Sequence, residues 1–241
     1  MGSKAKEEAM RSLIRQETPD IFLIQETKME ESSFLQASRK FWKKDGAHAT
    51  SARGASGGLG SLWNPNKFSL ISKSLNTHWI LLKLQHLESK EIISLVNVYA
   101  PNNAGEKKLC WDSIKNLADL EDLGNIIIAG DFNLTLLPSE KRGGSIVRDP
   151  ARETVEDLMQ DWDLIDIKPS ISKFTWSNKR VGPGHIAARL DRFLVQSSFL
   201  LIGLEVRSRI LHSSTSDHKP ISLELLTTKD LGLSPFRFCS L

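Results

Sequence analysis

Two unbroken apolar runs, Ile21-Phe22-Leu23-Ile24 and Ile126-Ile127-Ile128-Ala129, restrict the fold more than any other feature. Each is too short for a helix and lacks polar alternation, so each reads as a strand covered on both faces. Covered strands need layers above and below them, which points to an α/β arrangement rather than a helical bundle. Both runs stop at polar clusters, Gln25-Glu26-Thr27 and Gly130-Asp131-Phe132-Asn133, and a third cluster, Ser216-Asp217-His218, stands just before Ile221. Carboxylates, an amide and an imidazole are thus placed where strands end and side chains can gather.

The pattern between these runs is mixed. Ala9, Met10, Leu13 and Ile14 form a helical stripe, and Ser33 with Gln36 suggests a capping box for a helix running to about Trp42. Gly54, Gly57, Gly58 and Gly60 mark a tight strand opening without the Gly-Lys-Ser/Thr of a phosphate loop. Strands are expected at 68–71, 79–84 and 92–99. A helix is expected from Ala104 to Leu123, with Leu109, Ile114, Leu117 and Leu120 toward the core, and another from Pro150 to about Trp162. Strands near 173–177, 189–195, 204–211 and 220–226 complete the reading. Strands and helices do not alternate strictly, so two mixed sheets packed face to face with helices outside fit better than a doubly wound parallel sheet.

At 241 residues, 40% hydrophobic and 25% charged, the chain is long enough for one sizeable core. Its net charge of +3, from 32 basic and 29 acidic residues, is compatible with a polyanionic partner without requiring one. Cys110 and Cys239 are too few for a disulfide framework, and no apolar run is long enough to span a membrane. The expectation is an intracellular monomer, nuclear or cytoplasmic, without a secretion signal.

Each polar cluster has a plain reading and a chemical one. Glu26 alone is a strand-end acid facing solvent; beside other carboxylates it could help hold Mg²⁺, which favours one or two carboxylates plus water. Asp131 and Asn133 are either an Asx turn or, in extended geometry, a base and an amide on one face with Phe132 packed behind. Asp217-His218 could divide metal ligation and phosphate contact, and Asp191, in Arg189-Leu190-Asp191-Arg192, could fix an imidazole tautomer or pair with an Arg neighbour. Tyr99, the only tyrosine, closes a strand two residues after Asn97. Lys173, Lys179, Arg180, His185, Arg189 and Arg192 surround Gly182-Pro183-Gly184 and make a candidate phosphate-backbone surface, with Arg142 in a second basic loop.

In order, Gln25-Glu26-Thr27, Asn97-Val98-Tyr99-Ala100-Pro101, Gly130-Asp131-Phe132-Asn133, Arg189-Leu190-Asp191-Arg192 and Ser216-Asp217-His218 resemble the endonuclease/exonuclease/phosphatase superfamily. Lys141-Arg142-Gly143-Gly144, Lys173-Phe174-Thr175-Trp176-Ser177 and Pro235-Phe236-Arg237-Phe238 are similar to the endonuclease domain of plant LINE retrotransposon polyproteins. The resemblance implies a DNase I-like, four-layered α/β sandwich over residues 1–226, followed by a linker-like tail at 227–241. It also implies Mg²⁺-dependent (or Mn²⁺-dependent) nicking of DNA. Glu26 and Asp217 would be metal ligands; Asp131, Asn133, His218, Asp191 and Tyr99 would be catalytic; Arg142, Lys179, Arg180 and Arg189 would contact DNA. Family members open with a strand carrying a metal-site Asn, which is absent here, so a weakened fold and weak or absent activity are expected. The alternatives are a non-catalytic nucleic-acid-binding domain and a phosphatase of the same superfamily.

Overall fold

The computed structural model describes residues 4–240 except 55, 121, 146, 202, 213–215 and 227–235. Along the chain, α1 (Lys4–Glu17) leads into β1 (Ile21–Ile24), then α2 (Glu31–Ser38) and the strands β2 (Gly46–Arg53), β3 (Ser56–Trp63), β4 (Phe68–Leu75), β5 (Trp79–His86) and β6 (Ile92–Tyr99). Next come α3 (Ala104–Lys115), α4 (Leu117–Leu120), β7 (Asn125–Asp131), β8 (Lys141–Arg142), α5 (Ala151–Asp161) and β9 (Leu164–Asp166). The last third contains β10 (Trp176–Ser177), β11 (Ala187–Ala188), β12 (Asp191–Gln196), α6 (Ser198–Leu201), β13 (Glu205–Ile210), β14 (Ile221–Leu226) and β15 (Phe236–Ser240).

Two six-stranded mixed sheets form, ordered β13-β14-β15-β1-β3-β2 and β4-β5-β6-β7-β12-β9, with a small third sheet β10-β11-β8. The two apolar runs behave as their composition dictates. Ile21 and Leu23 join the core between the sheets, with Ile127 and Ala129 from β7. Phe22 and Ile24 instead face a core holding Met10 and Leu13 of α1 and Phe34 of α2. Ile126 and Ile128 face Trp111 and Ile114 of α3 and Val155 and Leu158 of α5. Period-two alternation thus feeds two cores from each strand, and the layers run helix, sheet, sheet, helix.

Several expectations change. The stretch Phe236–Ser240 is not a linker: β15 lies inside the first sheet, parallel to β1 and antiparallel to β14. Without it, β1 and β14 would present unpaired backbone edges to one another. Cys239 is fully buried in the α1 and α2 core, and both cysteines are free thiols. The first sheet has six strands among the described residues, one of them β15. Pro235 lies outside the described residues, as does the side chain of Leu120.

Leu109 is 69% exposed rather than core, because α3 turns Cys110, Trp111 and Ile114 inward and leaves Leu109 on the flank. The Ser33–Gln36 capping box does not form: α2 begins at Glu31, so Ser33 is already inside it, and the Glu31 amide donates to Ser51 Oγ instead. The same helix stops at Ser38, short of Trp42. Among the described residues, no helix is long and apolar enough to cross a membrane.

Candidate active site

Strand register builds the centre of the site. Tyr99 of β6 pairs with Asp131 of β7, and Asp131 pairs in turn with Asp191 of β12, so three polar side chains stand on one rung at the end of the second sheet. Gly130 allows this closeness: its φ is +133°, and a Cβ there would run into the Val98 carbonyl.

The first sheet brings Glu26 and the Asp217–His218 turn to the same rim. Glu26 follows β1 in a left-handed conformation (φ +53°), and the turn is held by Thr27 and Lys28 amides donating to the Gly58 and Gly57 carbonyls at 3.0 Å each. Gly58 lies too close to Thr27 Oγ1 for any side chain of its own. The two sheets are stitched beneath the rim. Gln25 Nε2 donates to Asn97 Oδ1 (2.6 Å), and Asn97 Nδ2 donates to the Gly60 carbonyl (3.0 Å) and Ser61 Oγ (3.1 Å). Asn97 thus has a cross-sheet role, and the Tyr99 hydroxyl donates to Glu26 Oε1 (3.2 Å).

His218 Nδ1 donates to Asp191 Oδ2 at 3.0 Å, while its Nε2 faces Asp131 Oδ2 at 3.8 Å, beyond hydrogen-bond range. These three side chains form a group that could hold a cation. Asp191 does not pair with its Arg neighbours. Its strand is tied to the His218 turn by Thr175, whose buried hydroxyl accepts from the Leu190 and Asp191 amides at 3.0 Å each and whose carbonyl accepts from Lys219 N at 2.7 Å. Trp176 Nε1 donates to Asp217 Oδ2 (3.0 Å).

Asn133 departs from the extended geometry expected of it. It has φ +50°, its amide N–H donates to Asp131 Oδ1 (2.9 Å), and its side-chain Nδ2 donates to the Ala100 carbonyl (2.6 Å). The plain Asx turn and the site residue are thus the same structure. Phe132 packs edge-on against Trp111 with ring centroids 4.6 Å apart. Lys107, buried and unremarked in the sequence, donates to the Asn133 carbonyl at 2.7 Å and to Asp149 at 2.5 Å.

The electrostatics follow from three carboxylates, Asp191, Asp131 and Asp217, around one imidazole. Burial and then the charge of Asp191 push Asp131 upward, against the opposing pull of His218. Burial alone would lower His218, yet Asp191, then Asp131 and Asp217, carry it up to about 10. Burial, Glu26 and Asp131 raise Tyr99 well above the ordinary phenol range. Burial opposes ionisation of Asp217, but the Trp176 hydrogen bond, His218 and Lys179 outweigh it and hold its pKa down.

The basic residues divide. Arg142, Lys179 and Arg180 are exposed on or beside the small sheet, whose β10 is bridged to His218. Arg189, expected at a DNA surface, is only 2% exposed and ion-paired to Glu140 and Asp166. It lies just before β12, and its guanidinium meets the carboxylates of Glu140 and Asp166 instead of solvent. Arg192, expected in the same basic surface, is fully buried and pairs with the same two carboxylates, while Glu140 and Asp166 carried no signal in the sequence beyond charge.

Comparison with known proteins identifies the family and the fold. Residues 2–218 match the model of the Endonuclease/Exonuclease/phosphatase family. The chain is 31% identical over 151 residues to a Xenopus laevis protein described as "Transposon TX1 uncharacterized 149 kDa protein", a match covering 60% of this chain and 11% of that one. Among solved structures, a 3'-5' exonuclease from Neisseria meningitidis has a TM-score of 0.65 at 16% identity, covering 90% of this chain and 95% of its own. An AP endonuclease from Leishmania major has a TM-score of 0.66 at 18% identity, covering 90% and 81%. D. rerio TDP2, solved with a single-strand DNA product, has a TM-score of 0.64 at 16% identity, covering 91% and 92%. At these identities the likeness to solved structures is one of fold.

Proposed function

The chain belongs to the endonuclease/exonuclease/phosphatase family, and from that premise we propose that it hydrolyses phosphodiester bonds in DNA with Mg²⁺, as a nicking endonuclease of LINE retrotransposon type. The observation that carries the reading is the Asp191–His218–Asp131 alignment beside exposed Lys179 and Arg180. The transposon-protein relative supports the retrotransposon assignment.

The donor set fits a hard divalent cation. Burial, together with the charge of Asp191 and Glu26 at Asp131 and of Glu26, Asp131 and Asp217 at Tyr99, pushes the Asp131 and Tyr99 protons toward staying bound, and oxygen donors are what Mg²⁺ takes. Glu26 and Asp217 would hold the ion, which when bound supplies positive charge to the phosphate and its leaving oxygen. Asp131, with its raised pKa, would accept a proton from the attacking water. Asp191 keeps the Nδ1 proton of His218 engaged and so leaves Nε2 directed at the space where the phosphate would lie. The Tyr99 hydroxyl orients Glu26, and the second amide hydrogen of Asn133 would donate to a phosphate oxygen. Arg142, Lys179 and Arg180 would bind the flanking backbone electrostatically.

The test is incubation of the purified chain and an Asp131→Ala control with supercoiled plasmid and with abasic-site duplex, with Mg²⁺ or with EDTA. Nicking by the wild type in Mg²⁺ alone is the expected result. Retained DNA binding with no nicking above the Asp131→Ala level would instead establish a non-catalytic nucleic-acid-binding domain.

A further inference from the structure

A buried charge cluster is built from the residues that flank Asp191 in the chain. Arg192 is fully buried, and Arg189 and Glu140 are 2% and 3% exposed. Five hydrogen bonds converge on the Glu140 carboxylate: from Arg189 Nη1 (3.0 Å), Arg192 Nη1 (2.9 Å) and Nη2 (2.5 Å), and the Leu136 (2.8 Å) and Leu137 (3.2 Å) amides. Asp166, at the end of β9, receives Arg189 Nη1 and Nη2 at 2.6 and 2.5 Å and Arg192 Nη1 at 3.1 Å. The Glu140 carbonyl also accepts from the Arg189 amide at 2.9 Å.

The connectivity of the cluster matters more than its charge. Arg189 and Arg192 bracket Asp191 in sequence, and Glu140 caps the loop that leaves Asp131-Phe132-Asn133. Leu190 lies between the two arginines, and its carbonyl accepts from Phe132 N at 2.9 Å. One carboxylate therefore locks the segment carrying Asp191 to the segment carrying Asp131 and Asn133. Two carboxylates against two guanidiniums leave the group neutral, and a buried ion network of this kind gives little net stability over an apolar replacement. Its rigidity is the distinguishing property.

Deepening the endonuclease reading above and resting on it, we propose that Glu140 and Arg192, with Arg189 and Asp166, form a positioning cluster. It fixes the backbone around Asp191 so that its carboxylate stays on the Nδ1 side of His218. None of the four touches the reacting atoms. A misplacement of about 1 Å in a catalytic group can cost on the order of 100-fold in rate, so loosening this lock should appear in kcat and not in KM.

The experiment compares Arg192→Met, close in length but uncharged, and Glu140→Gln, close in shape, with the wild type and with each change added to Asp191→Asn. Urea unfolding selects conditions in which every variant is folded. Abasic-duplex nicking is expected to lose at least 10-fold in kcat in each single variant, with KM within about 3-fold, but less than 2-fold in the Asp191→Asn background, since the residue being positioned is already disabled. A second readout is independent of turnover: the downfield imidazole N–H proton signal of His218, assigned by its loss in His218→Gln and Asp191→Asn, should disappear or shift in Arg192→Met and Glu140→Gln. Equal losses in both backgrounds, or folded variants with full kcat and an unchanged proton signal, would overturn the proposal. If Arg192→Met does not fold, Glu140→Gln decides alone. If the wild type does not nick at all, the endonuclease reading fails while the proton signal still decides the positioning role.

Discussion

Gln25 Nε2 donates to Asn97 Oδ1 across 2.6 Å, in the buried space between the two sheets and directly behind Glu26. Because Asn97 also serves the Gly60 carbonyl and Ser61 Oγ on β3, one side chain sets how the rim of the first sheet meets the rim of the second.

Asn97→Leu should therefore leave the Gln25 amide and the Gly60 carbonyl without this partner. Each hydrogen bond lost is worth about 0.5–1.5 kcal/mol net, so urea unfolding should show a loss of that order or more. Nicking should fall further than stability alone explains, because the residue before Glu26 loses its tie to the second sheet.

The strand β15 predicts a large backbone effect from a distant position. Phe238 pairs with Ile21 on one side and Leu223 on the other. Phe238→Pro removes a backbone N–H from the interior of a sheet, a change that typically costs about 3 kcal/mol or more in regular structure. Circular dichroism melts should show a clearly lowered midpoint, and a variant ending at Leu226 should lose cooperative unfolding. An unchanged melt in both would mean that the sheet does not depend on β15.

Acid sensitivity should have a specific component at Glu140. Burial raises its pKa, but the Arg192 hydrogen bond and charge overcome this and hold it down to about 2. A carboxyl depressed in the folded state contributes stability that is present above its unfolded pKa, near 4.5, and is lost as pH falls toward 2. Stability measured by urea titration between pH 5 and pH 2.5 should fall with decreasing pH, and Glu140→Gln should flatten part of that slope.

The basic residues should separate into two classes. Lys179→Ala and Arg180→Ala change exposed side chains, so DNA affinity measured by anisotropy should drop with little change in melting temperature. The slope of log affinity against log salt should decrease by about 1 for each phosphate contact removed. Arg189→Ala should do the opposite: it leaves buried Glu140 and Asp166 sharing the Arg192 guanidinium, and breaking a buried pair costs about 3–5 kcal/mol.

The local sequence determined the layers and the rim. Apolar runs at 21–24 and 126–129 could only be strands covered on both faces, and the polar residues that end them had to emerge where strands stop. Asp191 beside His218 was one of two readings the sequence left open, and long-range packing selected it, since the Arg neighbours that might have claimed Asp191 found Glu140 and Asp166 below the sheet. Arg189 and Lys179 look alike as letters in a basic stretch, but one is interior and one is surface, because side-chain direction depends on register and on what the adjoining strand offers. The place of β15 was equally out of reach: Phe236–Ser240 has no pattern that distinguishes a linker from a strand, and only the backbone groups of β1 and β14, which need partners, make it one. Composition and spacing thus decided which residues could form a phosphodiesterase-like rim, and tertiary structure decided how they meet, because hydrogen-bond and charge partners far apart in the chain become neighbours only once the sheets have packed.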